Sequence, residues 1–227
     1  MVTSLEMVRD SEECIRWKQG RGLVYQLLID FLGNPPSLSM IAQWRQHMVI
    51  REEAILTAGG RILKNYMSSI TPEHYTEICE MEKEEYHRLF DSVRPVLPSL
   101  CESDYRCKLN KNSVDCTMDI RNRYAQSGIV FNKLQLEQDD HISIELEYMA
   151  ILADRMLDDR RLRTSQQVLI DSQIQFLEQH LTQWTPSLAD DLYTQSRTPM
   201  YRAIGCVLKE FLPYDIEMLR SWRAALD

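Results

Sequence analysis

Only 7 glycines and 8 prolines interrupt a chain of 227 residues, and that scarcity of chain breakers is the strongest constraint on the fold. Sheet proteins turn often and spend glycine on their turns; the usual glycine share alone is about 7%. Here the breakers fall at a few places, several of them side by side, and the runs between them are rich in Leu, Met, Ala, Glu, Gln and Arg, all good helix formers. The expected fold class is all-α, a helical bundle of about ten helices. A chain of this length buries a substantial core without the help of disulfides or a metal.

The apolar spacing divides the bundle. A first helix is predicted from Asp10 to Leu32, stopped by Gly33-Asn34 and Pro35-Pro36. Ser37 is placed to cap a second helix carrying Leu38, Ile41, Ala42 and Trp44. A third is expected over Arg51–Ser68, with Gly59-Gly60 weakening its middle. Thr71-Pro72 starts a fourth, with proline at the first helical position, running to about Ser92. Pro95 and Pro98 then break the chain, and no apolar period persists from Ser99 to Thr117. That stretch is expected to be a long connection between two helical parts, 1–98 and 118–227. In the second part a short helix ends near Gly128, and Leu134 to Asp139 forms an exposed polar turn. A strong helix follows from Ile142, and Thr164-Ser-Gln-Gln167 opens another as a capping box that Pro186 ends. Two C-terminal helices, Pro199–Phe211 and Asp215–Ala225, close the bundle.

Composition excludes some functions. Lys and Arg number 26 against 34 Asp and Glu, a net charge of −8, so a phosphate backbone is repelled and no nucleic-acid partner is expected. No apolar run is long enough to span a bilayer, and the first residues lack the apolar region of a secretory leader, so no stable membrane insertion and a cytoplasmic location are expected. The six cysteines, at 14, 79, 101, 107, 116 and 206, form no C-x-x-C pair. They are read as reduced thiols, and the cluster Cys101, Cys107, Cys116 fits no standard metal spacing. No P-loop or other cofactor motif occurs, so no cofactor and no metal are expected.

The densest polar constellation is Glu137-Gln138-Asp139-Asp140-His141-Ile-Ser-Ile-Glu145. Asp139 or Asp140 stands where a helix cap belongs, and acidic groups there complement the helix dipole. His141 and Glu145, four residues apart, share a helix face within hydrogen-bonding reach. A small helical hydrolase using His141 is one alternative, but no nucleophile stands in a strained elbow and no oxyanion hole is evident. The stripe Phe176, Leu177, His180, Leu181, Trp184 reads first as core packing.

Several motifs follow one another in an order that resembles a known family. Arg21-x-x-x-Tyr25-x-Leu27-Leu28 precedes Pro35-Pro36; Glu85-Tyr86-x-Arg88-Leu89-Phe90 precedes Pro98 and Glu102-Ser103-x-Tyr105; Arg123-Tyr124-x-x-x-Gly128 follows. Then come Glu137-x-x-Asp140-His141-x-x-x-Glu145-Leu146-x-Tyr148-Met149 and Phe176-Leu177-x-x-His180-Leu181-x-x-Trp184-x-Pro186. Together they resemble the TorD/DmsD-like family of redox-enzyme maturation chaperones, over roughly residues 20–215. Gln138 stands where that family often has proline, and Leu89-Phe90-Asp-Ser-Val-Arg-Pro95 lacks its usual glycine.

The resemblance implies a non-enzymatic cytoplasmic chaperone. Its client is the apo form of a molybdenum-cofactor oxidoreductase, whose twin-arginine signal peptide it binds before export while assisting cofactor insertion. Monomers and domain-swapped dimers are both implied. A basic pair followed by an apolar stretch calls for carboxylates beside an apolar groove. The peptide-binding residues expected on this basis are Glu137, Gln138, Asp140, His141, Glu145, Tyr105 and Tyr124. A generic helical adaptor is the other alternative.

Overall fold

The computed structural model describes residues 12–50, 57–91, 98–108, 113–131, 138–157 and 162–226; of these, the side chains of 49–50, 107–108 and 113–116 are not described. The helices are α1 Glu12–Gly33, α2 Leu38–Ile50, α3 Ala58–Ser69, α4 Tyr75–Phe90, α5 Glu102–Lys108, α6 Ser113–Gln126, α7 Ile142–Arg155, α8 Arg163–Phe176, α9 Thr182–Gln195 and α10 Pro199–Ala224. Among the described residues no strand forms, and the fold is all-α. The nearest approach to a sheet is one isolated antiparallel bridge between Cys101 and His141.

Local chemistry sets the helix ends. The Ser37 hydroxyl accepts the Met40 N–H at 3.2 Å at the start of α2, as its sequence position predicts. A 3₁₀ turn, Pro72–His74, leads from Thr71 into α4; proline stands at its start as expected, but the Thr71 hydroxyl, expected to cap it, makes no cap bond. At the end of α6, Gly128 takes φ +64°. Its N–H reaches the Ala125 carbonyl at 2.9 Å and the Ile129 N–H reaches Tyr124 at 2.9 Å, the paired bonds of a Schellman stop. The third helix begins later than expected, with Thr57 capping the Gly60 N–H, and residues 51–56 lie outside the described part. Gly59-Gly60 therefore form its first turn, not its middle. An ideal Cβ on Gly59 would stand 2.6 Å from the Val207 backbone nitrogen. Glycine there lets α3 lie directly on the backbone of α10.

Four expectations are corrected. The stretch 99–117 contains α5 and the start of α6; α5 is so short that one buried aromatic, Tyr105, anchors it and leaves no visible period. Residues 109–112 between the two helices lie outside the described part. Thr164 does not cap α8; the cap position is Leu162, which supplies no side-chain bond, and the Gln167 amide instead donates to the Leu226 carbonyl at 3.2 Å. Pro186 does not end its helix. The chain runs from α8 through a π-turn, Leu177–Leu181, directly into α9 with Pro186 inside it. Pro213 likewise sits inside a 26-residue α10. Both prolines are exposed, so the carbonyl each leaves without an N–H partner lies on a wet face of the helix, and the helix survives.

The helices share one apolar core that includes residues from Cys14 to Leu226. Helix α1 packs along α7 and α10, and α10 also lies against α3, α8 and α9. A buried polar knot ties the first helix to the last. Arg21 forks onto Asp215, Nε to Oδ1 at 2.9 Å and Nη2 to Oδ2 at 2.7 Å. The Trp17 indole donates to Oδ1 at 2.7 Å and the Tyr25 hydroxyl to Oδ2 at 2.6 Å.

A second buried acid lies on α4. Glu82 is 0% exposed and accepts the Tyr66 hydroxyl at 2.6 Å. Burial lifts its carboxyl from 4.5 to about 7, with the Tyr66 hydrogen bond and the nearby Thr198 hydroxyl pulling the other way and the charge of Glu85 adding to the rise. The folded protein thus holds a proton here that the unfolded chain has already released. Stability contributed by this group is lost as pH rises from about 4.5 to about 7, at up to about 1.4 kcal/mol per pH unit, and is level above. Glu82→Gln should remove that slope. Urea midpoints between pH 5 and pH 8 check it: the difference between variant and wild type should grow up to pH 7 and then flatten. A pH-independent difference would show Glu82 ionised throughout.

Candidate functional site

The site is built where the starts of α5 and α7 meet. Across the bridge, the Ile142 N–H donates to the Leu100 carbonyl at 2.8 Å and the Glu102 N–H to the Asp140 carbonyl at 3.0 Å. Asp140 is fully buried, and its Oδ2 accepts the Ser103 N–H at 2.9 Å. The expected capping role is therefore real, but the helix it caps is α5 and not the helix that follows it. His141 caps α7, its Nδ1 accepting the Ser143 N–H at 3.2 Å. The Ser143 hydroxyl lies 2.8 Å from the same nitrogen. This pairing is packed, since an ideal Cβ on Gly33 of α1 would stand 2.9 Å from Ser143 Cβ. The Ser143 side chain is thus set close against the α1 backbone.

Glu145, one turn into α7, is 0% exposed. Its carboxylate makes no hydrogen bond to His141, and neither oxygen has a partner of good geometry. Burial pushes its carboxyl well above the ordinary range, the neighbouring Glu102 adds to the rise, and the Trp184 indole N–H opposes it.

Beside it a ring of side chains closes on the π-turn. Glu102, 0% exposed, pairs with Arg106 Nε at 2.6 Å and with His180 Nδ1 at 3.1 Å. His180 Nε2 lies 2.8 Å from Asp119, and Asp119 accepts Arg123 Nε at 2.9 Å. Arg123 then donates to the Gln179 side chain and Arg106 to the Gln179 carbonyl. With a carboxylate at each ring nitrogen, both His180 contacts are hydrogen bonds only when both nitrogens carry protons. The π-turn is what brings the Gln179 carbonyl and the His180 ring to these partners within one segment.

The structure brings Gln138, Asp140, His141, Glu145, Tyr105 and Tyr124 into one region, while Glu137 lies outside the described residues. Gln138 is exposed and His141 half-buried; Asp140, Glu145, Tyr105 and Tyr124 are buried. The Tyr105 hydroxyl donates to Asp191 at 2.8 Å, and its ring lies 5.5 Å from that of Trp184. The Tyr124 hydroxyl donates to the Asp139 carbonyl at 3.1 Å, and its ring lies 4.9 Å from that of Tyr148. Asp139 is not exposed as expected: it is 6% exposed and paired with Arg121. Sequence reasoning missed the roles of Glu102, Asp119 and Arg106, whose partners are distant in the chain. No group of His, Cys, Asp and Glu suited to a metal ion occurs among the described residues, and the side chains of Cys107 and Cys116 lie outside them.

The sequence profile of the nitrate reductase delta subunit family matches residues 73–190, just over half the chain. The chain belongs to the nitrate reductase delta subunit family. This is a family of molybdoenzyme maturation chaperones of the TorD type, and the kinship expected from the ordered motifs is confirmed. No individually curated protein matches the chain. The family match spans α4 to α9, so the bridge, the buried acids and the ring on the π-turn all fall within the part the chain shares with other delta subunits. A maturation chaperone of this family is non-catalytic. Among the described residues no helix is long and apolar enough to cross a membrane. Motif residues outside the ring hold the fold together. Glu85 receives the fork of Arg88 at 2.6 and 2.7 Å and the Arg197 N–H at 2.5 Å, fixing the turn between α9 and α10 to α4.

Proposed function

We propose that the chain is a cytoplasmic chaperone that binds the twin-arginine signal peptide of a molybdenum-cofactor oxidoreductase precursor, assists cofactor insertion and holds the precursor back from export. The observation that carries this reading is the family match over residues 73–190, which includes both signature stretches. The geometry is compatible with it: Gln138 and His141 are reachable from solvent, beside a carboxylate at Asp139 and exposed apolar residues such as Met118 and Val130. On this reading Gln138 and His141, with Glu137 beyond the described residues, contact the peptide. Asp140, Glu145, Tyr105 and Tyr124 hold the face on which they stand. A domain-swapped dimer is the proposed alternative to a monomer; light scattering separates the two.

Calorimetry with synthetic peptides tests the reading. A peptide with an arginine pair followed by an apolar stretch should bind, and its affinity should fall modestly with salt and then level off, because screening acts on exposed charge but not on apolar burial. Exchanging the arginines for lysines should weaken binding, since charge stays but the bidentate fork is lost. Removing the apolar stretch should weaken it more, by roughly 1.5–3 kcal/mol for each large side chain no longer buried. Equal binding of the full and the shortened peptide would rule out an apolar groove. Absence of binding to all of them would reject signal-peptide recognition.

A further inference from the structure

The described arginine–carboxylate pairs differ in how deeply each partner is buried. Arg21 is 1% exposed and grips Asp215 with two nitrogens, with a tryptophan and a tyrosine on the same carboxylate. Arg88 grips Glu85 with two nitrogens as well. Such pairs are permanent, because breaking them strands a buried charge. The pair between Arg121 on α6 and Asp139 before α7 is different. The carboxylate side is 8% exposed, but the arginine is 60% exposed and meets it through Nε. A nearly buried carboxylate is thus served by a guanidinium that reaches it from the solvent side.

Such a carboxylate already takes a guanidinium, and the arginine that supplies it is itself mostly exposed. The guanidinium end of this pair is 60% exposed, so water competes for it there, and the long arginine side chain loses rotamer freedom by staying. On the same helix, Met118 lies three residues before Arg121, on one face with it, and is 57% exposed. A segment that offers a guanidinium next to apolar side chains therefore finds both complements side by side, at the cost of moving one exposed arginine.

We infer that Arg121 is an internal placeholder on Asp139, and that a basic pair of the client displaces it: the Arg121–Asp139 pair is an autoinhibitory contact that sets the affinity of the site. This rests on the signal-peptide reading above. The exchange replaces one guanidinium by another on the same carboxylate, so no buried charge is left unpaired at its end.

The test is titration of the full chain with three synthetic peptides carrying an arginine, lysine or alanine pair before the same apolar stretch. Arg121→Gln removes the competitor and should tighten binding of the arginine peptide about two- to fivefold, the equivalent of up to about 1 kcal/mol, with little change for the alanine peptide. Lys209→Gln is the control: it deletes the same charge from a pair elsewhere, with Asp190, that is exposed on both sides, and should leave affinity unaltered. Asp139→Asn should weaken the arginine peptide about tenfold or more and bring it level with the alanine peptide, its melting temperature being read alongside. Unchanged or weaker binding by Arg121→Gln, or equal tightening by Lys209→Gln, overturns the placeholder while the peptide reading stands. If no variant binds the arginine peptide, both fall.

Discussion

Replacing Asp215 with alanine is expected to cost about 3–5 kcal/mol of stability, the range seen when one partner of a buried ion pair is removed. The reason is what remains. The Arg21 guanidinium, 1% exposed, would keep its charge with no carboxylate beside it. The Trp17 indole N–H and the Tyr25 hydroxyl would lose their acceptor at the same time. A domain has about 5–15 kcal/mol in all, so the variant should be marginal, with a melting temperature lower by about 10 °C or more. Urea denaturation followed by circular dichroism reads the loss directly. Arg21→Met combined with Asp215→Leu should recover most of it, because a matched apolar replacement leaves no charge to strand. A single-variant loss below about 1 kcal/mol would mean that water enters between α1 and α10 and that the knot is not sealed.

Replacing His180 with alanine should produce the second largest loss, about 2–3 kcal/mol, the size of a hydrogen bond to a buried charge. The loss should fall unevenly on its two partners. Glu102 is 0% exposed and would keep Arg106 alone, whereas the Asp119 side chain is 48% exposed and keeps both Arg123 and water. Asp119→Asn should therefore cost under about 1 kcal/mol. His180→Gln, which can still donate to one carboxylate, should fall between wild type and alanine. A double-mutant cycle of His180→Ala with Glu102→Gln isolates the coupling, expected above about 1 kcal/mol. Additive losses would show that His180 acts only by filling space against Phe176, whose ring lies 5.0 Å away.

What could be read from the sequence was local. The C-terminal limit of α1, the Ser37 cap, the proline at the start of the turn into α4 and the Gly128 stop each depend on residues within one turn, and each was legible from them. The candidate segment 138–145 was legible for the same reason, as a dense polar run at a helix start. Its orientation was not. Asp140 caps a helix 37 residues earlier in the chain, and nothing in its neighbours reveals that. Asp215 is 194 residues from Arg21, and Glu102 is 78 from His180; such pairs exist only once the core has formed. The prolines misled because their cost depends on which face of a helix they occupy. Pro186 and Pro213 both face outward, a tertiary fact that the dipeptide around each does not carry.

The π-turn at Leu177–Leu181 has an evolutionary corollary. It takes up one residue more than a regular helical path needs, and each residue of an α-helix advances the side chains by about 100°. Deleting a single residue from this stretch would let it relax into an unbroken α-helix. Either His180 would then swing away from Glu102, or Trp184 and everything after it would rotate off the core. Substitutions within 177–181 change one contact each, whereas a change of length there would reset the facing of an entire helix. Among delta subunits this stretch should drift in identity far more freely than in length.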